Sequence, residues 1–154
     1  MARMMFALAA GLFFCAAAQA LEGTAVCGVW TVQDGRARVE IYKAQDGTFE
    51  GKIVWTSEPN YPDGDPEAGK PKRDRENPDA SKRDRPILGM VFMEKFTFDG
   101  KEQWKGGRVY DAESGNVYKC KMSMEGEDTL DVRGFIGISL IGRTEKWTRY
   151  KEGK

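Results

Sequence analysis

From residue 27 onward the chain alternates: short runs with an apolar residue at every second position are separated by turn residues. No segment carries a convincing apolar repeat of helical period. The pattern predicts eight strands, over 27–32, 38–44, 48–55, 87–98, 103–110, 117–124, 129–135 and 143–150. In the second, Val39 and Ile41 alternate with Arg38, Glu40 and Tyr42; in the third, Phe49, Ile53 and Trp55 share a face opposite Glu50 and Lys52. Asp46-Gly47 and Asp99-Gly100 supply tight hairpin turns. The fourth run is apolar on both faces, which predicts a bend or a cover. The sixth has the cleanest alternation, Tyr118, Cys120, Met122 and Met124 against Lys119, Lys121 and Ser123, and it buries Cys120. Between the last two runs, 136–142 is apolar and glycine-flanked, suited to a helical turn or a bulged corner.

Eight consecutive antiparallel strands predict an all-β up-and-down barrel or a sandwich. Glycines inside the runs (Gly51, Gly89, Gly106, Gly107 and Gly134) suit the bends that closure needs, and closure removes unpaired edges. The interior of an eight-stranded barrel is either filled by side chains or holds one small ligand, and both readings stay open. The inward candidates are Ile41, Phe49, Ile53, Trp55, Phe92, Tyr110, Tyr118 and Met122.

Two segments depart from the alternation. Residues 1–20 combine Arg3, an apolar run over 6–15 and the small-residue site Ala18-Gln19-Ala20, the three parts of a secretory signal peptide. Phe14 before Cys15 argues against a lipoprotein site, and the apolar run is too short to span a bilayer. Cleavage after Ala20 and a periplasmic or secreted domain over 21–154 are therefore expected, without a transmembrane segment. Residues 56–85 hold five of the six prolines, seven Lys or Arg and eight Asp or Glu, and predict a long charged surface loop without a core of its own. Asp63, Asp65 and Glu67 lack the twelve-residue spacing of a calcium loop, so no metal is expected.

The chain has 24 basic and 24 acidic residues, and acids interrupt every basic run, so nucleic acid is not an expected partner. It contains no histidine, which removes Ser-His-Asp and Cys-His nucleophile systems and His-ligated zinc. A carboxylate-based hydrolase would draw on Asp74, Asp84 and Asp111, but each has an ordinary explanation in a charge-balanced run or a turn. No catalysis and no cofactor are expected. Cys27 and Cys120 are an even pair in an oxidising compartment and suggest one disulfide. Because they fall on the first and sixth strands, a bridge needs Cys27 in a lead-in segment crossing the barrel end.

Five motifs in order carry a resemblance. They are Gly28-Val-Trp30; Asp74-Arg-Glu-Asn77-Pro78 with Arg83-Asp-Arg85-Pro86-Ile-Leu-Gly89; Trp104-Lys-Gly106-Gly107-Arg-Val-Tyr110-Asp111 with Ser114-Gly115-Asn-Val-Tyr118; Leu130-Asp-Val-Arg133-Gly134-Phe-Ile-Gly137; and Gly142-Arg143 with Trp147-Thr-Arg149. This order resembles the bacterial secreted family catalogued as domain of unknown function 2147, across essentially all of the chain after residue 20. The resemblance implies a lipocalin-like (calycin) barrel in the cell envelope and no known reaction. In lipocalin-like barrels a Gly-x-Trp closes one end beneath an arginine of the last strand, which implies Trp30 with Arg149 or, less favoured, Arg143. The C-terminal helix of true lipocalins is not expected here. The leading expectation is a barrel that holds a small, partly apolar ligand among Trp55, Phe92, Tyr110, Tyr118 and Met122 without turning it over. The alternative is an envelope protein-interaction or structural module with a filled barrel, acting through the 56–85 loop and Tyr61.

Overall fold

In the computed structural model, which describes residues 21–138 and 140–153, each of the eight strands hydrogen-bonds the next in chain order. They are β1 (Gly28–Thr31), β2 (Ala37–Lys43), β3 (Phe49–Thr56), β4 (Val91–Phe98), β5 (Gln103–Asp111), β6 (Asn116–Met124), β7 (Thr129–Phe135) and β8 (Gly142–Arg149). All pairings are antiparallel, and β8 returns to β1 through Trp30↔Arg149 and Thr31↔Thr148 to close an up-and-down barrel. The expected leader, residues 1–20, lies outside the described residues. β4 starts at Val91 rather than 87, because Ile87–Met90 form a turn tied to β3 by Gly89 N–H donating to Ile53 O (2.7 Å).

Register irregularities decide which aromatic side chains face inward. Between β2 and β3, Arg38 pairs with Trp55 but Val39 pairs with Ile53, leaving Val54 as an extra residue. A one-residue bulge exchanges the faces of everything beyond it. Trp55 therefore lies outside, 38 % exposed, where the Arg38 guanidinium is 4.5 Å from its ring and 3.8 Å from that of Tyr150. Between β5 and β6, Trp104 pairs with Met122 but Gly107 with Cys120. The extra residue is accommodated by Gly106 at φ 75°, a backbone conformation that favours glycine. Trp104 and Val109 then face inward and Tyr110 faces outward. The bulges thus overturn the inward placement expected for Trp55 and Tyr110.

One end of the barrel is packed solid. Trp30, Phe96, Trp104, Met122 and Leu130 are fully buried there, and the edge of Phe49 meets Trp104 with ring centroids 6.4 Å apart. A 3-10 turn over Gly23–Val26 lies across this end, accepting from Trp104 Nε1 at Gly23 O and from Trp30 Nε1 at Val26 O (2.9 Å each). The Arg149 guanidinium stands 4.2 Å from the Trp30 ring centroid. It donates to Ala25 O and Cys27 O (2.9 Å each) and, from Nε, to Glu127 O (2.8 Å). Gly28 adopts φ 130°, and a side-chain carbon there would fall 2.7 Å from Arg149 Nη1, so the glycine of Gly-Val-Trp makes room for the arginine. Arg143 lies at the opposite end with its side chain 82 % exposed and takes no part in closure.

The expected disulfide is not made: Cys27 and Cys120 are both free thiols. Cys27 precedes β1 at the closed end. Cys120 sits in the middle of β6, between Gly107 of β5 and Gly134 of β7, and no pairing joins β6 to β1.

The long loop also departs from expectation, because it has a polar core. Isolated bridges at Asn60↔Pro71 and Arg73↔Pro86 fold it on itself, and Tyr61, Asp74 and Asn77 are buried. Asp65 receives both terminal nitrogens of Arg75, which also stacks over Tyr61 at 4.3 Å, and Glu67 pairs with Arg73. Two of the three carboxylates weighed as calcium ligands, Asp65 and Glu67, are thus held by arginines. A run that reads as solvated charge is a fixed appendage because its charges neutralise one another locally.

Candidate functional site

The other half of the barrel is hollow. A cavity of about 810 Å³ opens at the end where β1, β3, β5 and β7 finish and β2, β4, β6 and β8 begin. Strand alternation builds its wall: Val39 from β2, Ile53 from β3, Phe92 from β4, Val109 from β5, Tyr118 and Cys120 from β6, Val132 from β7 and Trp147 from β8. Val39, Cys120, Val132 and Trp147 also belong to the buried core, so they form the floor that separates the cavity from the packed end. Hollow and filled, the two readings of the interior, each describe one half of the same barrel.

Polar groups collect at the mouth, including Arg36, Glu58, Lys72, Asp111 and Arg143. Arg36 pairs with Asp34 at 2.8 Å and Lys72 with Glu58 at 3.3 Å. Further down the wall Glu145 accepts from Trp147 Nε1 (3.2 Å) and faces Arg143 at 3.7 Å. An apolar wall beneath a polar rim orients an amphipathic molecule with its charged or hydroxyl end outward. Burial pushes the Cys120 thiol up to about 12, so at neutral pH it is an uncharged part of the floor and a poor nucleophile.

The predicted ligand set divides. Phe92 and Tyr118 line the cavity. Met122 faces inward but lies below the floor, paired with Trp104 in the packed end. Trp55 is outside. Tyr110 reaches the rim, but its hydroxyl is committed to the long loop, donating to Asp74 Oδ1 (2.6 Å). Asp74 Oδ2 accepts from Asn77 Nδ2 (2.7 Å) and Arg85 Nη2 (2.6 Å), so the loop is pinned to β5 through one buried carboxylate. Burial pushes the Asp74 carboxyl up, but the hydrogen bonds from Tyr110, Asn77 and Arg85 outweigh it and hold the group below its ordinary value. Burial and the same carboxylate push the Tyr110 phenol up to about 12. The carboxylates weighed for hydrolysis do not converge. Asp84 is exposed on Arg73, and Asp111 caps its own turn by accepting from Glu113 N–H (2.9 Å) and Ser114 Oγ (2.6 Å).

Three wall positions were not singled out from the sequence. Val109 was hidden by the bulge at Gly106. Glu145 reads as surface charge. Gly134, paired with Cys120 and Arg143, faces the cavity, and a side-chain carbon built there would meet no atom within 4 Å. A glycine at an inward register of a regular strand was the available signal for open space.

Comparison with curated proteins gives no match. Among solved structures, the chain is similar to one titled "Protein HP1028 from the human pathogen Helicobacter pylori belongs to the lipocalin family". The two are 24 % identical with a TM-score of 0.69, over 82 % of this chain and 83 % of that one. At that identity the likeness shows the fold, a lipocalin-like barrel. The family model described as "Uncharacterized protein conserved in bacteria (DUF2147)" matches residues 28–149. That span runs from the glycine that seats the closing arginine to the arginine itself, and the chain belongs to this bacterial family.

Proposed function

We propose that the protein holds a small, partly apolar molecule in the mouth-side cavity and does not transform it. The observation that carries this reading is the cavity, about 810 Å³ with an apolar wall and a polar rim, closed below by a floor of core residues. A volume in this range accommodates one small organic molecule. Phe92 and Tyr118 supply ring faces, and Glu145, opposite Val132 of the floor, is a polar group set down in the wall.

Gly134→Phe tests it, since the new ring enters open space at an ordinary strand conformation. Binding of the apolar dye anilinonaphthalene sulfonate, followed by its fluorescence, is expected to weaken roughly tenfold or more while the circular dichroism of the barrel persists. Equal dye binding by the two proteins would remove the cavity as the site. Native mass spectrometry of protein recovered from its own envelope then identifies what occupies it.

The proposed setting is outside the cytoplasm, after removal of residues 1–20. The three-part pattern of that segment supports this. N-terminal sequencing of exported protein is expected to begin at Leu21; retention of the segment or a lipid on Cys15 refutes the assignment.

A second reading, a protein-interaction module acting through the long loop, draws on the loop's fixed shape around Tyr61 and Asp74. It requires that deleting residues 60–82 abolish a partner interaction while dye binding is retained.

A further inference from the structure

The connection between β7 and β8 is an apolar projection. Among the described residues eight large hydrophobic side chains are exposed, and four lie here: Ile136, Ile138, Leu140 and Ile141, each 60–85 % exposed. A fifth, Val117 at 59 %, stands beside them, because β6 pairs Lys119 with Phe135 and so runs on toward the tip. Such a cluster in water signals a surface that something covers.

Form, charge and position select the cover. The tip extends past the last paired residues, Phe135 and Gly142, as a hairpin end closed by Ile141 N–H donating to Ile138 O (3.1 Å). Flexible aliphatic side chains on a projecting turn suit a fluid apolar phase, which demands no matching relief. No charged residue occurs between Arg133 and Arg143, and these two, with exposed Lys119, form a cationic base. Arg133 braces the turn from Nη1 to Thr144 Oγ1 (2.8 Å) and from Nη2 to Leu140 O (3.4 Å). The carboxylate facing Arg143 is Glu145, at 3.7 Å; the acids Asp111 and Glu113 belong to the next turn round the mouth. Aliphatic tip above, cations below, is the layering of acyl chains and phosphate headgroups. Phe135, Ile136 and Ile141 also line the cavity, so whatever covers the tip also faces the mouth.

We propose that the 136–141 tip docks the barrel mouth on a phospholipid bilayer, with its aliphatic side chains among the acyl chains and Arg143, Arg133 and Lys119 at the headgroups. This goes beyond the cavity reading and does not depend on it, because docking and cavity occupancy are measured separately.

The protein recovered from the envelope of an expressing bacterium is mixed with vesicles of phosphatidylcholine, alone or with phosphatidylglycerol. It is expected to sediment with both, more tightly with the anionic mixture. The double variant Ile138→Asp, Leu140→Asp is expected to bind about 100-fold more weakly, roughly tenfold for each aliphatic side chain lost from the apolar phase. Ile138→Trp is expected to shift its added emission to the blue when vesicles are present. Dye binding in vesicle-free solution is expected to be the same in the double variant as in the parent, so a failure of the cavity reading would leave the vesicle result standing. No sedimentation and no blue shift would overturn the proposal. So would undiminished binding by the double variant, which would place the contact elsewhere. Self-association abolished by the same variant, without vesicle binding, would assign the tip to a second copy of the chain and equally overturn it.

Discussion

Trp30→Ala is expected to lower the stability of the barrel by about 3–5 kcal/mol, the cost of deleting a large buried aromatic ring. The indole is fully buried, its Nε1 donates to Val26 O, and it supports the Arg149 guanidinium at 4.2 Å. Removal therefore empties core volume and also takes away the surface that orients three arginine hydrogen bonds. Arg149→Lys keeps the charge but loses the planar fork that reaches Ala25 O and Cys27 O together, and is expected to cost about 1–3 kcal/mol. The two losses share the stack, so the double variant should fall short of their sum. Urea denaturation of the four proteins measures this. A loss below about 1 kcal/mol for Trp30→Ala would show that the indole is not core.

Asp74→Ala is expected to release the long loop while leaving the barrel closed. The substitution strands the Tyr110 hydroxyl, the Asn77 amide and the Arg85 guanidinium, whose Nε is already buried without a partner. The penalty is about 2–4 kcal/mol, discounted because the Arg85 side chain keeps 38 % of its surface in water. The loop can open locally, so the loss should appear as rapid tryptic cleavage among its seven basic residues with little change in dye binding.

The pH dependence follows from the two shifts. Asp74 is held below its ordinary value in the folded state, so its contribution is complete above about pH 4 and is lost as pH falls through that lower value. Tyr110 is raised, so its contribution is complete below about pH 10 and is lost as pH rises through about 12. Tryptic resistance should hold across this window. Loss of resistance at mildly acid pH in the unsubstituted protein would contradict the assignment.

Strand number and order are legible from alternation and turn residues alone, because a two-residue period reports faces directly; the period leaves barrel and sandwich open, and it is the resemblance carried by the five motifs that implies the lipocalin-like barrel. The same period cannot report an inserted residue. Val54 and Gly106 each reverse the faces beyond them; Val54 looks like any neighbour in register, and Gly106 is one of five in-strand glycines that signal a bend without saying which one inserts a residue, so alternation alone points Trp55 and Tyr110 inward. Alternation also gives direction and no depth, which is why Met122 and Tyr118 looked equivalent although one lies below the floor and the other above it. Asp74 is unreadable for another reason: a carboxylate buried against Tyr110, Asn77 and Arg85 has the same local sequence as one on a solvated surface.

The ring closes through Trp30 and Arg149, which stand 119 positions apart, whereas every other pairing joins neighbours in the chain. Loop-closure entropy is therefore greatest for this contact, and hairpins along the meander can zip well before it. The same contact seats Trp30, one of the two fully buried indoles of the packed end. A chain emerging from its N-terminus thus remains an open sheet with two bare edges until its final strand arrives. Before that moment it exposes surface that would bind other strands, and afterwards it does not. Folding of this barrel is committed when β8 arrives, and a chain cut short of β8 would retain its turns while losing both its ring and its defence against aggregation.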